Sequence, residues 1–444
     1  MSAAAPGGPA EEIALVGGLT HEGEGVVRGG KTVFVPGALP GERIRLRRTR
    51  RHRRHDDGEV LEVLTPSPER VAPRCVHFGV CGGCLLQHLA PAAQLAAKEA
   101  ELRSTLERVA RVAPRRWLEP LTGSVWAYRR RARLGAKFVQ RKGRVVVGFR
   151  ERAAPYVADL AGCEVLASPA GALIAPLAAL LGGLAIREHV PQIEVAVADN
   201  ATALVLRVLA EPPEADLALL GEFARRHGVW LYLQPAGLDS VRALEGGRSE
   251  RSEPLHYGLP AFGLELEFSP TDFIQVNGPV NEALVARAVE LLGLTPAARV
   301  LDLYCGLGNF TLALARRAGS VVGVEGEARL VGRARGNAAR NQVSNAEFHQ
   351  ADLAAAPAAA APWLRGAYSH VLLDPPRTGA RAMLPTVARL APRRVLYISC
   401  HPGSLARDLM ELVHEHGFTL EAAGVVDMFA HTAHVESLAL LERP

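Results

Sequence analysis

Cysteine is scarce, with six residues in 444. The first ten residues, MSAAAPGGPA, have no basic segment ahead of an apolar run, so they read as a short disordered tail rather than a secretory signal. A membrane span is also missing. Val165–Ile186 carries no charge over 22 residues, but it is rich in Ala and Gly and contains Pro169 and Pro176. Such a stretch predicts a buried helical segment instead of a bilayer crossing. The expectation is a soluble cytoplasmic protein with no membrane contact, where paired disulfides are improbable. Charge of one sign is not in excess either: the net is +5 and the pI about 9.0, so the placement of the charge matters more than its total. No repeat recurs at a fixed period, and nothing in the sequence suggests more than a monomer.

At this length two or three domains are expected. Residues 11–64 alternate apolar and polar positions between Gly and Pro breaks, as in ALVGGLTHEGEGVV and GEVLEVL, and predict a small β-barrel. It leads into RIRLRRTRRHRRH, with eight arginines between Arg43 and Arg54. A solvated loop could look like this, but a one-sign run beside a small barrel suits a polyphosphate partner, because each bound arginine releases condensed counterions. QLAAKEAELRSTLERVARVA has helical periodicity. A second basic, β-rich stretch, WAYRRRARLGAKFVQRKGRVVVGFRER, interleaves aromatics with cations and fits phosphate contact plus base stacking, or an ordinary amphipathic hairpin. From about residue 266 the pattern becomes βαβ alternation to the end. AAAPAAAAP (354–362) is a low-complexity link between two strands.

The informative residues of this C-terminal half fall at strand ends. RVLDLYCGLGNFTLALA is a strand, a glycine turn and a helix, in which Gly306 and Gly308 admit a ligand to the backbone. There is no GxGxxG, which weakens a pyrophosphate reading. Glu325 ends the next strand, nineteen residues after Gly306, where a carboxylate can bond ribose hydroxyls. Asp352 follows the third strand, placed to contact an adenine, and Asp374-Pro375-Pro376-Arg377 follows the fourth. Together this ordered series is similar to the S-adenosylmethionine-dependent methyltransferase fold.

Which atom accepts the methyl group is suggested by VLYISCHPGSLARDL. Cys400 ends an apolar strand before a Pro-Gly turn, at the sheet edge where ligands bind, with His401 adjacent and Arg377 expected nearby. A buried structural cysteine is the ordinary alternative; the strand-end position favours a reactive thiolate, which needs local stabilisation because a free thiol has a pKa of roughly 8.5. A thiolate adding to C6 of a pyrimidine gives C5 the nucleophilicity to take a methyl group, and a base must then remove the C5 proton. Glu436, ahead of an apolar strand, is the candidate base. Methylation of an exocyclic amine is disfavoured, since those enzymes place an aromatic after the prolines and here the residue is Arg377. Cytosine-C5 methylation also uses a cysteine, but usually with Pro before it, where this chain has Ser399.

FSPTDFIQVN, LDLYCGLGNF, LLDPPRTG, ISCHPGSLARD and MFAHTAHVES resemble the signature stretches of bacterial RNA uracil-C5 methyltransferases. The resemblance runs from about residue 11 to the end. It implies an α/β protein with a Rossmann-like methyltransferase domain at 266–444. Before it would come a tail at 1–10, a barrel at 11–65 similar to the OB-like TRAM RNA-binding module, and a β-rich central iron–sulfur domain at 66–265. A helical stretch about 91–113 would pack on the catalytic domain. By the same resemblance, Cys400 is the nucleophile and Glu436 the base. Gln275, Tyr304, Asn309, Glu325, Asp352 and Asp374 form the S-adenosyl-L-methionine site, Asp374 also lies near the uracil, and Phe273 helps position the base. The barrel implies 23S ribosomal RNA, protein-poor or partly assembled, as the partner, since tRNA-acting relatives usually lack it. The sequence leaves tRNA open, and also a non-enzymatic RNA-binding assembly factor, against which Cys400, Glu436 and the DPPR segment argue. One departure is His401, where family members generally have Asn.

Three cysteines cluster in RCVHFGVCGGCLLQH: Cys75, Cys81 and Cys84. Their spacing lacks the CxxxCxxC of radical chemistry. A metal centre needs a fourth donor, and with Cys305 in the cofactor turn and Cys400 in catalysis, Cys163 remains. Four thiolates could hold zinc or an iron–sulfur cluster. The family resemblance implies a 4Fe-4S cluster on Cys75, Cys81, Cys84 and Cys163, structural or RNA-shaping because the proposed chemistry is redox-neutral.

Overall fold

The computed structural model describes residues 11–244, 254–358 and 360–443; the tail at 1–10 lies outside the described residues. The chain forms two compact units. The first takes the sequence up to Glu101 together with Glu151–Pro155 and Phe429–His434, and the second takes Leu102–Arg150, Tyr156–Met428 and Val435–Pro444.

In the first unit, the alternating segment folds as a closed barrel. Its strands are β1 (Glu11–Leu19), β2 (Glu24–Val27), β3 (Thr32–Pro36), β4 (Arg43–Arg51) and β5 (His55–Thr65), in the order β1-β2-β3-β5-β4. The period of two explains the burial: on β4, Ile44 and Leu46 point inward among Val16, Val27, Val33 and Val35, while Arg43 and Arg45 point outward. Each fully buried Val, Leu or Ile contributes about 1.5–3 kcal/mol. Closure leaves no unpaired sheet edge.

The outward face of β4 is less free than its arginine count suggests. Arg47 pairs with Glu59, Arg45 with Glu62, and Arg48 with both Glu12 and Asp56. Arg50, Arg51, Arg53 and Arg54, toward the hairpin tip, are exposed. Beyond the barrel, the cysteine segment is held by chain from far away in sequence. The backbone of Cys81 bridges to Glu151, Arg152 N donates to the Val80 carbonyl, and the Leu85 and Leu86 amides both donate to the His431 carbonyl. Gln94 secures His431 in turn, accepting from its backbone N–H at 2.9 Å.

The second unit contains two large sheets. In the six-stranded one, Arg131–Val139 and Arg144–Gly148 lie beside Gln192–Val197, Thr202–Arg207, Val229–Gln234 and Arg242–Ala243. The second basic stretch of the sequence forms its outer pair. Five of its cations have carboxylate partners: Arg131 and Arg133 pair with Glu194, Arg130 with Asp199, and Lys142 and Arg144 with Asp159. The uncharged run Val165–Ile186 includes the helix Ile174–Gly183, which buries Ile174, Leu177 and Leu181. Among the described residues, no helix is long and apolar enough to cross a membrane.

The other sheet carries the βαβ pattern. Its strands run Ala346–Gln350, Ser320–Glu325, Arg299–Leu303, His370–Leu373, Arg394–Ser399, Glu436–Glu442 and Thr419–Val426 across the sheet, with the short Arg116–Trp117 at the edge. The first five are parallel, and Glu436–Glu442 is antiparallel to both of its neighbours. Their cores (VLDL, VVGV, VLL, VLYI) are apolar at successive positions because helices cover both faces. Strand order reverses between Arg299–Leu303 and His370–Leu373, and at such a switch point the carboxyl ends open a crevice. Residues Leu106–Ala110 pack on the helix Pro402–His414 of this unit, where His414 Nε2 lies 3.0 Å from the Ala110 carbonyl.

Candidate active site

Because five strands are parallel, the segments that follow them emerge at one edge. Those segments carry Tyr304, Glu325, Asp352, Asp374 and Cys400. The first begins with a conformation that side chains rarely adopt: Tyr304 has φ +66°, Gly306 φ +55° and Gly308 φ +97°. A Cβ at Gly306 would meet nothing within 4 Å, so the turn borders open space. Glu325 braces it. One carboxylate oxygen accepts from Gly306 N at 3.0 Å and the other from Glu327 N at 3.0 Å. Each oxygen keeps a second lone pair, which suits ribose hydroxyls. The Tyr304 hydroxyl donates to the Leu353 carbonyl at 3.1 Å, and burial together with Asp408, Asp352 and Glu325 pushes its pKa to about 12. Asp352 is exposed and accepts from Ala354 N.

Asn309 sits differently from a free ligand group. Its amide exchanges two 3.0 Å hydrogen bonds with Asn281, and its oxygen also accepts from Tyr257 at 2.9 Å. Those bonds hold the glycine turn to the helix Gly278–Leu292. Gln275 is half-buried just before that helix, and Phe273 is 69% exposed, unusual for an aromatic. Its neighbour Asp272 is fully buried; it accepts from Ser269 N at 2.7 Å and pairs with Arg329 and Arg333, fixing the segment from which Phe273 projects.

Cys400 follows the strand Arg394–Ser399 and is half-buried. Ser399 pairs with Ser437 across the antiparallel ladder. The ladder ends at that pair; Cys400 and Glu436 are the next residue on either side of it, and the Glu436 charge is near enough to act on the thiol. Burial raises the thiol pKa, and the charges of Glu436 and Asp374 raise it further, while Arg377 lowers it. Arg377 thus acts on the thiol as its place in the sequence suggested. Desolvation also raises Asp374, to about 7. The segment Asp374–Ala380 is pinned from behind: Ala380 N and the Tyr397 hydroxyl both donate to Asp408, which Arg407 also holds.

Three groups escaped sequence reasoning. Asp302 is fully buried inside the first strand, accepts from Thr311 Oγ1 at 2.5 Å, and is raised to about 7 by desolvation, with Asp374 and Glu325 adding to the shift. Its only sequence signal was a carboxylate inside an otherwise apolar strand. Tyr257 and Asn281 carried no signal, since their partner is known only from the fold.

His401 is explained by its local structure. It is the N-cap of the helix Pro402–His414, and its Nδ1 accepts from Ser404 N at 3.1 Å. Asn is among the strongest N-cap residues for the same reason: a side-chain acceptor reaches the same backbone N–H. The imidazole therefore replaces an amide acceptor, and His401→Asn is expected to unfold in urea within about 0.5 kcal/mol of the parent, whereas His401→Ala loses about 1 kcal/mol. Equal loss in both variants would contradict the capping role.

A glycine turn braced by Glu325 and a thiol under the influence of a carboxylate, both at the carboxyl ends of a parallel sheet with a switch point, fit a Rossmann-like methyltransferase. The model of the tRNA (Uracil-5-)-methyltransferase family matches residues 263–444. The chain is 52% identical over 433 residues to the 23S rRNA (uracil(1939)-C(5))-methyltransferase RlmD of Alkalilimnicola ehrlichii, covering 97% of this chain and 96% of that one. It is 49% identical over 429 residues to RlmD of Xylella fastidiosa, covering 96% of each. Among solved structures, the Pyrococcus abyssi tRNA (uracil-54, C5)-methyltransferase with S-adenosyl-L-homocysteine superposes with a TM-score of 0.72 at 22% identity, covering 97% of this chain and 100% of that chain, which shows the same fold. The chain belongs to the RNA uracil-C5 methyltransferase family.

Proposed function

We propose that the chain transfers a methyl group from S-adenosyl-L-methionine to C5 of one uridine in 23S ribosomal RNA, at the position corresponding to the uracil 1939 named for its relatives. The observation that carries the chemistry is that Cys400, just past the end of its strand, lies within the electrostatic reach of Glu436. The Cys400 thiolate adds to C6 of the uracil, which gives C5 enolate character. The bound cofactor supplies an electrophilic methyl carbon, which C5 takes up. Glu436 then removes the C5 proton, the C6–S bond breaks, and Cys400 leaves as thiolate. Asp374, raised to about 7 by burial, would hydrogen-bond the uracil edge. Arg377 favours the thiolate electrostatically.

The residues fit the cofactor. The glycine turn borders open space, Glu325 has lone pairs left for ribose, and Asp352 is exposed beyond the third strand. Tyr304, Gln275 and Asn309 complete the site, and the Asn309 side chain also holds the turn in place through Asn281. Phe273, being exposed, is available to stack on the target base, which must be extruded from the RNA to reach Cys400. The barrel is a TRAM-like RNA-binding domain at residues 11–65, with Arg50, Arg51, Arg53 and Arg54 as its free phosphate ligands. Residues 66–265 form the central domain and 266–444 the catalytic domain. The protein works in the cytoplasm as a monomer on protein-poor or partly assembled RNA.

Cys75, Cys81, Cys84 and Cys163 hold a 4Fe-4S cluster in this reading. Thiolate donors suit it, all four cysteines are half-buried, and Cys81 Sγ accepts from Gly83 N at 3.4 Å. Mapping of 5-methyluridine in ribosomal RNA tests the proposal. Cells lacking the gene should lose one 23S site while tRNA is unchanged, and protein isolated anaerobically from the complemented strain should carry iron and sulfide. Loss confined to tRNA would overturn the substrate reading, and iron-free active protein would overturn the cluster.

A further inference from the structure

The barrel carries a cluster of donor atoms that the methyl-transfer chemistry does not use. β4 and β5 form a hairpin in which Arg51 pairs with Asp56 and Arg50 with Asp57, and His52 N donates to the His55 carbonyl. Only Arg53 and Arg54 separate the two histidines, so the tight turn brings His52 and His55 face to face, with ring centroids 4.5 Å apart. Asp57 reaches both. Its Oδ2 lies 2.9 Å from His52 Nε2 and its Oδ1 3.9 Å from His55 Nε2. One ligand atom from each of the three residues falls within 4.8 Å of the other two. In a tetrahedral zinc site with bonds of 2.0–2.1 Å, donor atoms stand about 3.3 Å apart. These separations straddle that value, so small side-chain rotations suffice.

We propose that His52, His55 and Asp57 form a binding site for a divalent transition metal such as zinc on the tip of the barrel hairpin. Two imidazoles and a carboxylate are the donor set of borderline cations, not of magnesium or calcium. Competing roles for the donors are few. The adjacent Asp56 is committed to Lys31 and Arg48, which leaves Asp57 to the histidines. Phe34 backs the His55 ring at 4.9 Å and restricts its rotation. The 2.9 Å contact between His52 and Asp57 is a hydrogen bond when Nε2 carries the proton. On metal binding His52 takes the other tautomer, with hydrogen on Nδ1 and the Nε2 lone pair on the metal. Three protein donors leave a fourth position open to an oxygen ligand. Exposed Arg50, Arg51, Arg53 and Arg54 oppose a cation, so affinity is lower than in a closed four-ligand site.

The test titrates Zn²⁺, and Co²⁺ as a spectroscopic probe, into untagged, iron-loaded full-length protein. The parent should bind one more equivalent of zinc than His52→Gln/His55→Gln, and Asp57→Asn should bind it at least about tenfold more weakly. Cobalt should show d–d bands without sulfur charge transfer in the parent and lose them in the double variant. Arg53→Gln should keep the site, and unchanged thermal unfolding of each variant shows that the barrel is intact. Equal zinc uptake by the parent and the double variant, or cobalt bands of thiolate type alone, would overturn the proposal.

Discussion

Replacing Cys400 with alanine is expected to abolish methyl transfer, by about 10⁴-fold or more, the scale seen when a covalent nucleophile is removed. Cofactor affinity should stay within about twofold, because the turn Tyr304–Asn309 and Glu325 are held by their own contacts, none of which involves Cys400. Serine should fare no better, because a neutral hydroxyl is a far weaker nucleophile toward C6 than a thiolate. The pH dependence follows from the same thiol. Burial, Glu436 and Asp374 raise its pKa, so the thiolate fraction is small at neutral pH and kcat/KM should climb on the alkaline side. Removing the Arg377 charge (Arg377→Gln) takes away a cation that lowers that pKa, and the climb should shift to higher pH. A flat profile would mean that thiolate formation does not limit the reaction.

Glu436→Gln is expected to stall the enzyme after methyl transfer, with RNA covalently attached. Glutamine keeps the size and the place at the start of the strand Glu436–Glu442 but cannot take a proton. The C5 proton then stays, elimination cannot proceed, and the C6–S bond persists. On a denaturing gel a large fraction of the variant should migrate with RNA in a cofactor-dependent way, while turnover falls by about 10²–10⁴-fold, the usual range for general-base loss. A variant that turns over normally would remove Glu436 from the role.

Much of this site was legible because parallel strands convert sequence order into spatial order. The glycine turn, Glu325, Asp374 and Cys400 each come at the end of an apolar run and Asp352 follows a shorter, more polar strand; once these strands are parallel their ends must share an edge. The barrel was legible through alternation, with Ile44 and Leu46 marking the inner face of β4. What the sequence hid depends on register or on side-chain partners. Nothing in RIRLRRTRRHRRH shows that Arg47 faces Glu59 and Arg48 faces Asp56, so eight arginines read as eight phosphate ligands until the ladder is known. The same holds for Arg131 and Arg133, joined by Glu194 from a strand some sixty residues away. His401 looked like a departure in chemistry, but it is a conservative change in capping, which only the bond to Ser404 N reveals. Asn309 looked like a ligand, and its amide is held by Asn281 and Tyr257.

The most direct test is to digest the RNA-bound Glu436→Gln protein and locate the modified peptide by mass spectrometry. The expected result is a methylated uridine adduct on the peptide containing Cys400, absent from the double variant Cys400→Ala/Glu436→Gln. An adduct on any other residue, or efficient 5-methyluridine formation by protein without the Cys400 thiol, would contradict covalent catalysis through that sulfur.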